Sequence, residues 1–383
     1  MKNIVKQIIE KINKYHNHKI ILMEVCGTHT MAIARAGLRA LMPENIKLLS
    51  GPGCPVCVTS QETIDYAIAL AQEKDVIITT FGDMVRVPGS ELSLETFGPK
   101  IVYSPLDALD VAIENPKKTV IFIGVGFETT SPTVAATILA AEKRKVKNFY
   151  ILPAFKVIPP ALEFIAQSPQ LNVQGFILPG HVSTIIGSKP YEFLAKEYHI
   201  PGCITGFEPI DILQGILNLV NQIRHNKASI DIEYQRVVKP EGNQKAIEIL
   251  YNVCEPCDAV WRGIGEIANS GLALKAPYEK YDATKKFKIK VSKSAEPAGC
   301  ICGRVLLGLN SPLDCKLFGK KCTPMSPIGP CMVSSEGSCA AYYKYGDNKY
   351  LKQKGRRRHK KAEQGNLGQL KAEKGIRRQN RAI

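Results

Sequence analysis

The chain has 383 residues, enough for two or three domains, and its 45% hydrophobic and 22% charged residues are ordinary for a globular protein. This composition excludes a disordered, collagen-like or coiled-coil chain. No run approaches the roughly 20 apolar residues of a membrane span, and residues 1–19 lack the apolar core of a secretory signal. We therefore expect a cytoplasmic protein without a membrane partner.

The net charge of +16 is concentrated near the C-terminus. Residues 351–383 contain 12 Lys and Arg against 2 Asp and Glu, whereas the preceding 350 residues contain 39 against 33. A nucleic-acid-binding protein is one interpretation, and steep salt dependence of binding would reveal it. Because the excess charge belongs to a basic tail and not to a folded surface, we favour a solvated, disordered tail instead.

The first two thirds of the chain alternate between apolar runs and helical patterns. The apolar runs predict strands at residues 20–25, 46–50, 75–80, 101–104, 119–127, 148–152 and 174–178. Helical patterns predict helices at residues 31–41, from 59 onward, at 132–143, 159–167 and 209–223. Such alternation is typical of parallel sheets connected by crossover helices. We therefore predict an α/β fold with two Rossmann-like parallel-sheet lobes around a cleft.

The pattern predicts lobe I at residues 1–117 and lobe II at residues 118–230, although helix 209–223 can cross back and make these boundaries discontinuous. Beyond residue 230, a strand-like run at 233–238 precedes a helical pattern at 242–252. After residue 290 the chain is rich in Gly, Pro and Cys. A segment of that kind usually needs a metal to hold it together, so residues 231–350 are predicted to be a third, metal-binding domain before the tail at 351–383.

Twelve cysteines indicate metal or redox chemistry, because cytosolic thiols are kept reduced and these are clustered. Six lie in the last quarter, where Cys300, Cys315, Cys322 and Cys339 have the spacing C-x14-C-x6-C-x16-C, with Cys302 and Cys331 between them. Four thiolates in a loop-rich segment suit a [4Fe–4S] cluster or a structural zinc. The iron–sulfur interpretation is favoured because zinc sites usually pair cysteines as C-x2–4-C. Spacing alone leaves open which four of the six would bind.

Cys26 lies at the end of the first predicted strand, in the segment MEVCGTHT, and His29 follows three residues later near a helix start. One interpretation is a buried cysteine beside a helix-capping segment. The other is a thiolate stabilised by the helix dipole and the nearby imidazole, acting as a nucleophile or as a ligand for a soft metal.

Cys54 and Cys57 form a C-x-x-C just before another helix start, in the segment GPGCPVC. The free N–H groups and dipole of a helix N-terminus lower thiol pKa values, which favours disulfide exchange or metal binding. Cys254 and Cys257 form a second C-x-x-C, but its separation from the first is too long for one zinc ribbon.

Other strand ends also lead into polar loops, and the carboxyl ends of parallel strands gather at one edge of a sheet. Asp83 and Arg86 follow one strand, Glu128 another, and His181 a third. Taken singly these are weak candidates. A lone histidine in such a position is more often structural than catalytic.

Together, these motifs resemble the HypD family of hydrogenase maturation proteins. The segments that carry the resemblance are, in order, MEVCGTHT, GPGCPVC, TFGDMVRVPGS, GFETT, PGHVS, GFEP, WRGIG and CMVSSEGSCAAYYKY. They span about residues 20–350, and it is their combination and order that is specific. The basic tail after Tyr350 lies outside the family pattern.

The resemblance implies an assembly scaffold, not a simple turnover enzyme, on which iron receives cyanide and CO to form the Fe(CN)2CO unit of [NiFe]-hydrogenase. It implies a HypC-type small chaperone and a HypE-type donor, which carries cyanide as a C-terminal thiocyanate. Carried over by motif, the iron ligands would be Cys26 with Cys54 or Cys57, and the [4Fe–4S] ligands would be Cys300, Cys315, Cys322 and Cys339. Three further residues fall in family motifs without assigned individual roles: His29, His181 and Glu336.

Release of cyanide from a thiocyanate requires two electrons, and a C-x-x-C dithiol stores two. We therefore predict an electron relay from the cluster to Cys54 and Cys57, and from there to cyanide transfer at Cys26. The alternative is a stand-alone, iron–sulfur-dependent thiol–disulfide oxidoreductase. It would use the same dithiol and cluster but would leave Cys26 and the other strand-end loops without a role.

Overall fold

The computed structural model describes residues 2–15, 19–168, 170, 172–291 and 296–346. The disorder predicted for the tail at residues 351–383 therefore concerns a segment outside the described residues. The strands are β1 (Ile20–Glu24), β2 (Ile46–Ser50), β3 (Val76–Thr80), β4 (Lys100–Ile101), β5 (Thr119–Gly126), β6 (Phe149–Phe155), β7 (Gly175–Leu178), β8 (Gly202–Ile204), β9 (Ile230–Ile232), β10 (Cys254–Trp261) and β11 (Gly265–Leu274).

The α-helices lie before, between and after these strands. They are α1 (Lys2–Asn13), α2 (Gly27–Arg35), α3 (Leu38–Leu41), α4 (Pro55–Val58), α5 (Gln61–Gln72), α6 (Gly82–Val85), α7 (Pro105–Glu114), α8 (Ser131–Lys143), α9 (Ile158–Ala166), α10 (Gly180–Ile186), α11 (Glu192–Lys196), α12 (Pro209–Arg224), α13 (Gln244–Val253), α14 (Ala283–Lys286), α15 (Cys302–Leu306), α16 (Pro330–Val333) and α17 (Ser338–Tyr345). In the described part of the chain, no helix has both the length and the apolar character needed to cross a bilayer.

Two parallel sheets form the α/β body, which confirms the predicted fold class. Sheet I has the strand order β2-β1-β7-β8-β9, and sheet II has the order β4-β3-β5-β6. All pairings within them are parallel. Strand β5 is buried along nearly its whole length, because β3 and β6 flank it and helices cover both faces of such a sheet. Its near-continuous apolar sequence follows from that position.

The two sheets divide the chain differently from the predicted lobe ranges of 1–117 and 118–230. Sheet II is built from residues 76–155, which straddle residue 117, and sheet I takes strands from both sides of that segment. The chain leaves sheet I after β2, completes sheet II, and returns through α9 to add β7 beside β1. Pairing between strands that are so far apart in the chain depends on side-chain packing, which a local sequence pattern does not reveal.

Most predicted elements are found within a few residues of their expected ends. The strand predicted at 46–50 is β2, and the helix predicted at 209–223 is α12. The helix predicted from Thr59 begins at Gln61, two residues later, because the Ser60 side chain accepts a hydrogen bond from the Thr63 backbone N–H and caps α5.

The strand predicted at residues 233–238 is wrong. The strand in this region is β9, and directly after it the backbone N–H groups of Glu233 and Tyr234 both donate to the Ile204 carbonyl. The chain turns there, and Val238 N–H donates to the Tyr234 carbonyl at 2.9 Å. The alternating sequence pattern therefore belongs to a turn and not to a sheet ladder.

An antiparallel hairpin of β10 and β11 follows α13, and the sequence pattern did not predict it. Cys254 is buried and Cys257 is half-exposed on β10. Side chains three positions apart on a strand point to opposite faces, so the second C-x-x-C does not form a facing pair of thiols. From Cys300 onward, short helices and loops pack against the carboxyl edge of sheet I, with α17 lying on α2 and α16 lying on α4.

Candidate functional site

Cys26 occupies the junction between β1 and α2, as predicted, where it is the N-cap residue of the helix. Its side chain is only 7% exposed. Burial is the main reason that the pKa of the Cys26 thiol is raised to about 12, and the Glu336 and Glu24 carboxylates add to the effect. The backbone N–H groups of Thr28 and His29 act in the opposite direction. The helix terminus therefore does not produce a free thiolate here, and a bound metal ion would have to displace the proton.

The loop that carries the first C-x-x-C lies directly against Cys26. Gly27 N–H donates to the Gly53 carbonyl at 2.8 Å, and a Cβ atom on Gly53 would overlap the Cys26 backbone. A Cβ atom on Gly27 would likewise overlap the Glu336 side chain. Glycine at these two positions allows three segments, from β1, β2 and the C-terminal region, to meet at Cys26.

Cys54 and Cys57 are joined by a disulfide bond at the start of α4. Cys54 is the N-cap residue, and its sulfur accepts a hydrogen bond from Cys57 N–H at 3.2 Å. The two side chains are 3% and 0% exposed. The predicted placement at a helix start is confirmed, and the pair is in its oxidised form, in which neither sulfur is a thiolate.

A loop at residues 334–336, called here the serine loop, connects the first C-x-x-C to the loop of Cys26. Ser334 Oγ lies 3.4 Å from Cys54 Sγ. Thr28 Oγ1 donates to Glu336 Oε1 at 2.7 Å. Burial, followed by the charge of Asp83, raises the pKa of Glu336. Glu336, a predicted site residue without an assigned role, therefore lies beside the Cys26 segment.

Sheet II holds the serine loop in place through Asp83, which follows β3. One carboxylate oxygen of Asp83 accepts hydrogen bonds from Ser334 Oγ at 3.0 Å, Ser335 N–H at 2.9 Å and Ser335 Oγ at 2.8 Å. An open pocket of about 460 Å³ lies at this junction of α4, the loops after the strands of sheet II, and the serine loop. Its lining includes Val56, Asp83, Tyr103, Thr130, Ser334 and Glu336.

The His29 and His181 rings both lie against the Phe207 ring, with ring centroids 4.8 and 4.1 Å from it. His29 is fully buried, and its Nε2 contacts the Gly206 carbonyl at 3.0 Å and Thr205 Oγ1 at 2.9 Å. Burial lowers the pKa of His29 to about 4, so this ring is neutral at physiological pH. Because its Nε2 atom contacts the loop after β8, we assign His29 a structural role.

His181 is the more accessible of the two histidines. It is the second residue of α10, the helix that follows β7, and it is exposed. Its Nδ1 atom lies 3.5 Å from Thr28 Oγ1. Burial of part of the ring lowers its pKa. The structure thus brings His181 to the Cys26 loop from a strand far along the chain, as the strand-end argument predicted.

Glu24 is a site residue that the sequence reasoning missed. It is the last residue of β1, fully buried, with its carboxylate accepting hydrogen bonds from Cys26 N–H at 3.3 Å and Thr30 Oγ1 at 2.6 Å. Burial raises its pKa to about 7 despite Arg39, whose guanidinium lies 4.0 Å away. A glutamate inside an otherwise apolar strand was the sequence feature that could have identified it.

The six C-terminal cysteines surround one small cavity, called here the cysteine cavity. It is lined by Cys300, Cys302, Cys315, Cys322, Cys331 and Cys339, with apolar residues including Val305, Phe318 and Met332 completing the wall. The predicted ligands therefore do meet, together with the two cysteines whose roles were left open. Burial and the proximity of the other sulfurs hold the pKa of Cys339 well above its usual value.

Six thiols around an apolar-walled cavity are a donor set of the kind that would hold a [4Fe–4S] cluster. Among the described residues, no group of three or more His, Cys, Asp or Glu side chains is arranged to hold one metal ion. A cubane cluster distributes its thiolate ligands over four separate iron atoms, so its ligands surround a cavity and need not converge on one point. Soft thiolates with an apolar wall suit iron–sulfur chemistry.

Cys302 and Cys331 are in close contact. Their sulfurs lie 2.8 Å apart, and both residues are buried. Two sulfurs at this separation are placed to form a disulfide with little movement. Cys331 lies on α16, which packs against α4, the helix of the first C-x-x-C. The arrangement therefore contains two cysteine pairs on adjacent helices.

Comparison with known proteins identifies the family. A family model described as the hydrogenase formation hypA family, HypD, matches residues 3–346. Hydrogenase maturation factor HypD2 of Bradyrhizobium diazoefficiens is 44% identical over 337 residues, which cover 85% of this chain and 89% of the relative. Hydrogenase maturation factor HypD of Cupriavidus necator is 42% identical over 337 residues, with coverages of 85% and 89%. Hydrogenase maturation factor HypD of Escherichia coli strain K12 is 41% identical over 354 residues, with coverages of 89% and 95%. The predicted resemblance is confirmed, and the chain belongs to the HypD family.

Proposed function

We propose that this protein acts in [NiFe]-hydrogenase maturation, as a scaffold on which iron receives cyanide and CO to become the Fe(CN)2CO unit. The observation that carries the proposal is the contact between three cysteine-bearing segments. Cys26, the Cys54–Cys57 pair and the cysteine cavity all meet around the serine loop and α16. A generic redox protein would not need the first of these segments beside the other two.

The iron being assembled is the substrate of this scaffold, and Cys26 is its proposed anchor. Iron that carries cyanide and CO is soft, so a thiolate suits it better than a carboxylate. In the oxidised form described here, Cys54 and Cys57 are bonded to each other. Reduction of that disulfide would free one or both sulfurs to join Cys26 as ligands. Iron binding and the redox state of the pair are therefore coupled in this proposal.

The polar groups around Cys26 would accept and release protons during iron binding. Iron displaces the thiol proton of Cys26, and Glu24 and Glu336 are the nearby carboxylates that raise the pKa of that thiol. Glu24, with a pKa of about 7, exchanges a proton readily near neutrality. His181, the exposed histidine beside Thr28, is placed to hydrogen-bond a ligand that enters from solvent.

Cyanide delivery as a thiocyanate would consume the dithiol. Cleavage of the S–C bond takes two electrons and gives a thiolate on the donor and a cyanide ion, which iron binds. Cys54 and Cys57 supply those electrons, lose their two protons and end as the disulfide that the structure contains. A [4Fe–4S] cluster in the cysteine cavity would supply electrons one at a time for the return to the dithiol. The close Cys302–Cys331 pair lines that cavity, and Cys331 lies on α16, which packs against α4.

The implied partners are a HypC-type small chaperone and a HypE-type cyanide donor. The pocket of about 460 Å³ at Asp83, Ser334 and Glu336 is the proposed entry for the donor's terminus. Tyr103 at its rim is 93% exposed. An extended chain end could reach the serine loop and Cys54 through this opening.

Infrared spectroscopy of the full chain, co-produced anaerobically with the small chaperone, tests the proposal. Metal-bound cyanide and CO absorb where proteins scarcely do, and we expect such bands in the native protein and none in a Cys26→Ala variant. Cys203→Ala is the matched control, because Cys203 is also a fully buried thiol but lies in the core of sheet I. Bands that survive in Cys26→Ala would place the iron elsewhere.

The stand-alone thiol–disulfide oxidoreductase remains the alternative, and one observation weighs against it. The Cys54 and Cys57 side chains are almost completely buried, so a protein disulfide in solution has no direct access to them. Turnover of a generic disulfide substrate without partner proteins, together with absent infrared bands, would favour the oxidoreductase.

A further inference from the structure

Arg262 is a buried cation for which the proposed function has no role yet. It lies in the turn between β10 and β11, and its side chain is 1% exposed. Its Nε donates to Glu296 Oε2 at 3.1 Å, and its Nη2 donates to Gln61 Oε1. Its Nη1 is buried and has no hydrogen-bond partner among the described residues. An arginine held this way is costly, because a buried charge normally requires full pairing.

The turn that carries Arg262 lies between two cysteine-bearing segments, the C-x-x-C helix α4 and the segment of Cys302. Arg262 N–H donates to the carbonyl of Val58, the last residue of the C-x-x-C helix α4, at 2.8 Å. On the other side, Gly263 is so close to Gly303 that a Cβ atom on Gly303 would overlap the Gly263 carbonyl. Gly303 directly follows Cys302. The backbone of this turn therefore lies between α4 and the residue next to Cys302, a cysteine that lines the cysteine cavity.

The charge of Arg262 acts on the cysteines of that cavity. Hydrogen bonds between the cavity thiols and burial have the larger effects on the pKa values of Cys300, Cys302 and Cys331, and the Arg262 charge lowers all three. Its carboxylate partner among the described residues, Glu296, has a side chain that is 43% exposed, so solvent weakens the compensation. A fixed positive charge in a poorly solvated region stabilises any negative charge that develops nearby.

We propose that Arg262 is a positioning residue that raises the reduction potential of the iron–sulfur group held in the cysteine cavity. The inference rests on the proposed function, which places that group there. Reduction adds one electron to the cluster, makes and breaks no covalent bond, and increases the negative charge of the cavity by one. A buried cation at the cavity boundary stabilises the reduced form more than the oxidised form, since the reduced form carries more negative charge.

Redox titration of the full chain, purified anaerobically and followed by electron paramagnetic resonance with dithionite as reductant, tests this inference. We expect Arg262→Gln to lower the ratio of reduced to oxidised cluster about tenfold at a fixed potential, or ~59 mV for a one-electron couple. Arg262→Lys keeps the charge while losing the planar hydrogen-bonding fork, so its potential should stay close to that of the native protein.

Glu296→Gln provides a test in which Arg262 stays in place, in case Arg262→Gln does not fold. Removing the carboxylate of Glu296, which pairs with Arg262, should raise the potential, opposite in direction to Arg262→Gln. The matched control is Glu279→Gln, because Glu279 has a similarly exposed side chain, at 48%, and is paired with Lys285 instead. We expect no shift from that control.

The outcomes separate this inference from the proposed function. If the native protein shows no iron–sulfur signal, the proposed cofactor fails, and this inference fails with it. If the signal is present but Arg262→Gln and Glu296→Gln leave the potential unchanged, only the role of Arg262 is overturned. Equal shifts in Arg262→Lys and Arg262→Gln would also overturn it, because they would show that packing and not charge sets the potential.

Discussion

Asp83 and Ser334 are joined by a 3.0 Å hydrogen bond although 251 positions separate them in the chain. Asp83 follows strand β3 of sheet II, and Ser334 belongs to the C-terminal segment that carries the cysteines. Because Ser334 Oγ also lies 3.4 Å from Cys54 Sγ, this bond ties the first C-x-x-C, sheet II and the C-terminal segment together. The site exists only where these three parts of the chain meet.

Removing the Asp83 carboxylate should therefore loosen the serine loop. Asp83→Ala eliminates three hydrogen bonds to a charged acceptor, and we expect the free energy of unfolding to fall by about 1–3 kcal/mol. Urea denaturation measures this. Asp110→Ala is the control, since Asp110 makes one exposed ion pair with Arg144 and should cost less than about 1 kcal/mol. Equal losses in the two variants would contradict a specific role for Asp83.

Loss of the first C-x-x-C should separate cluster binding from iron loading. The double variant Cys54→Ser, Cys57→Ser retains the cysteine cavity, so its iron–sulfur absorption should match that of the native protein. It can no longer supply the two electrons for cyanide release, and we expect the infrared bands of metal-bound cyanide to disappear. Fully ligated iron in this variant would show that the proposed relay is wrong.

Substitution of single cavity cysteines would identify the cluster ligands. We expect Cys300→Ser, Cys315→Ser, Cys322→Ser and Cys339→Ser each to reduce iron content and the absorption of the cluster strongly. By contrast, Cys302→Ser and Cys331→Ser should keep the cluster, because these two are proposed to pair with each other. Iron analysis and visible absorption provide the measurement. Cluster loss in the second group would show that a different four of the six bind it.

Substitution of the two histidines beside Phe207 should affect different properties of the protein, stability in one case and cyanide binding in the other. His29→Ala deletes a fully buried ring that bonds to the loop after β8, and should lower the free energy of unfolding by about 2–3 kcal/mol. His181→Ala alters an exposed ring, so stability should change by less than about 1 kcal/mol while infrared cyanide bands weaken. Thermal unfolding and infrared spectra on the same samples distinguish the two. If His181→Ala retained full bands, His181 would have no part in the site.

Glu128 should make stability depend on pH near neutrality. It is buried, one oxygen accepts from Ile158 N–H at 2.9 Å, and the other has no hydrogen-bond partner among the described residues. Burial raises its pKa from 4.5 to about 7. Between these values the folded state holds a proton that the unfolded state has lost. The free energy of unfolding therefore falls as the pH rises through this window, by at most about 3 kcal/mol from this group.

Glu128→Gln should flatten that dependence, because the amide does not titrate. Urea denaturation at pH 5 to 8 measures the difference between the native protein and the variant, which should grow in favour of the variant toward higher pH. Glu248→Gln, an exposed glutamate on α13, is the control and should run parallel to the native protein. Glu24 acts in the same direction as Glu128, so some dependence should remain in Glu128→Gln. An unchanged difference across the range would refute the raised pKa.

The amino-acid sequence by itself determined the features that depend on neighbouring residues. Alternating apolar runs and helical patterns specified the α/β class, and the position of Cys26 and Cys54 at helix starts followed from residues within a few positions of each. The motifs identified the family, and the spacing of the C-terminal cysteines indicated a shared site. These features are local, because hydrophobic periodicity and helix capping act over one or two turns of chain.

Only the tertiary structure decided which distant segments meet. The local sequence pattern did not indicate three such contacts: the pairing of β1 with β7, the bond between Asp83 and Ser334, and the contact of the buried Arg262 with α4. The sequence prediction placed the lobe boundary at residue 117 for the same reason. Contacts between remote segments arise from the packing of whole sheets and helices, whose faces become complementary only after the chain has folded.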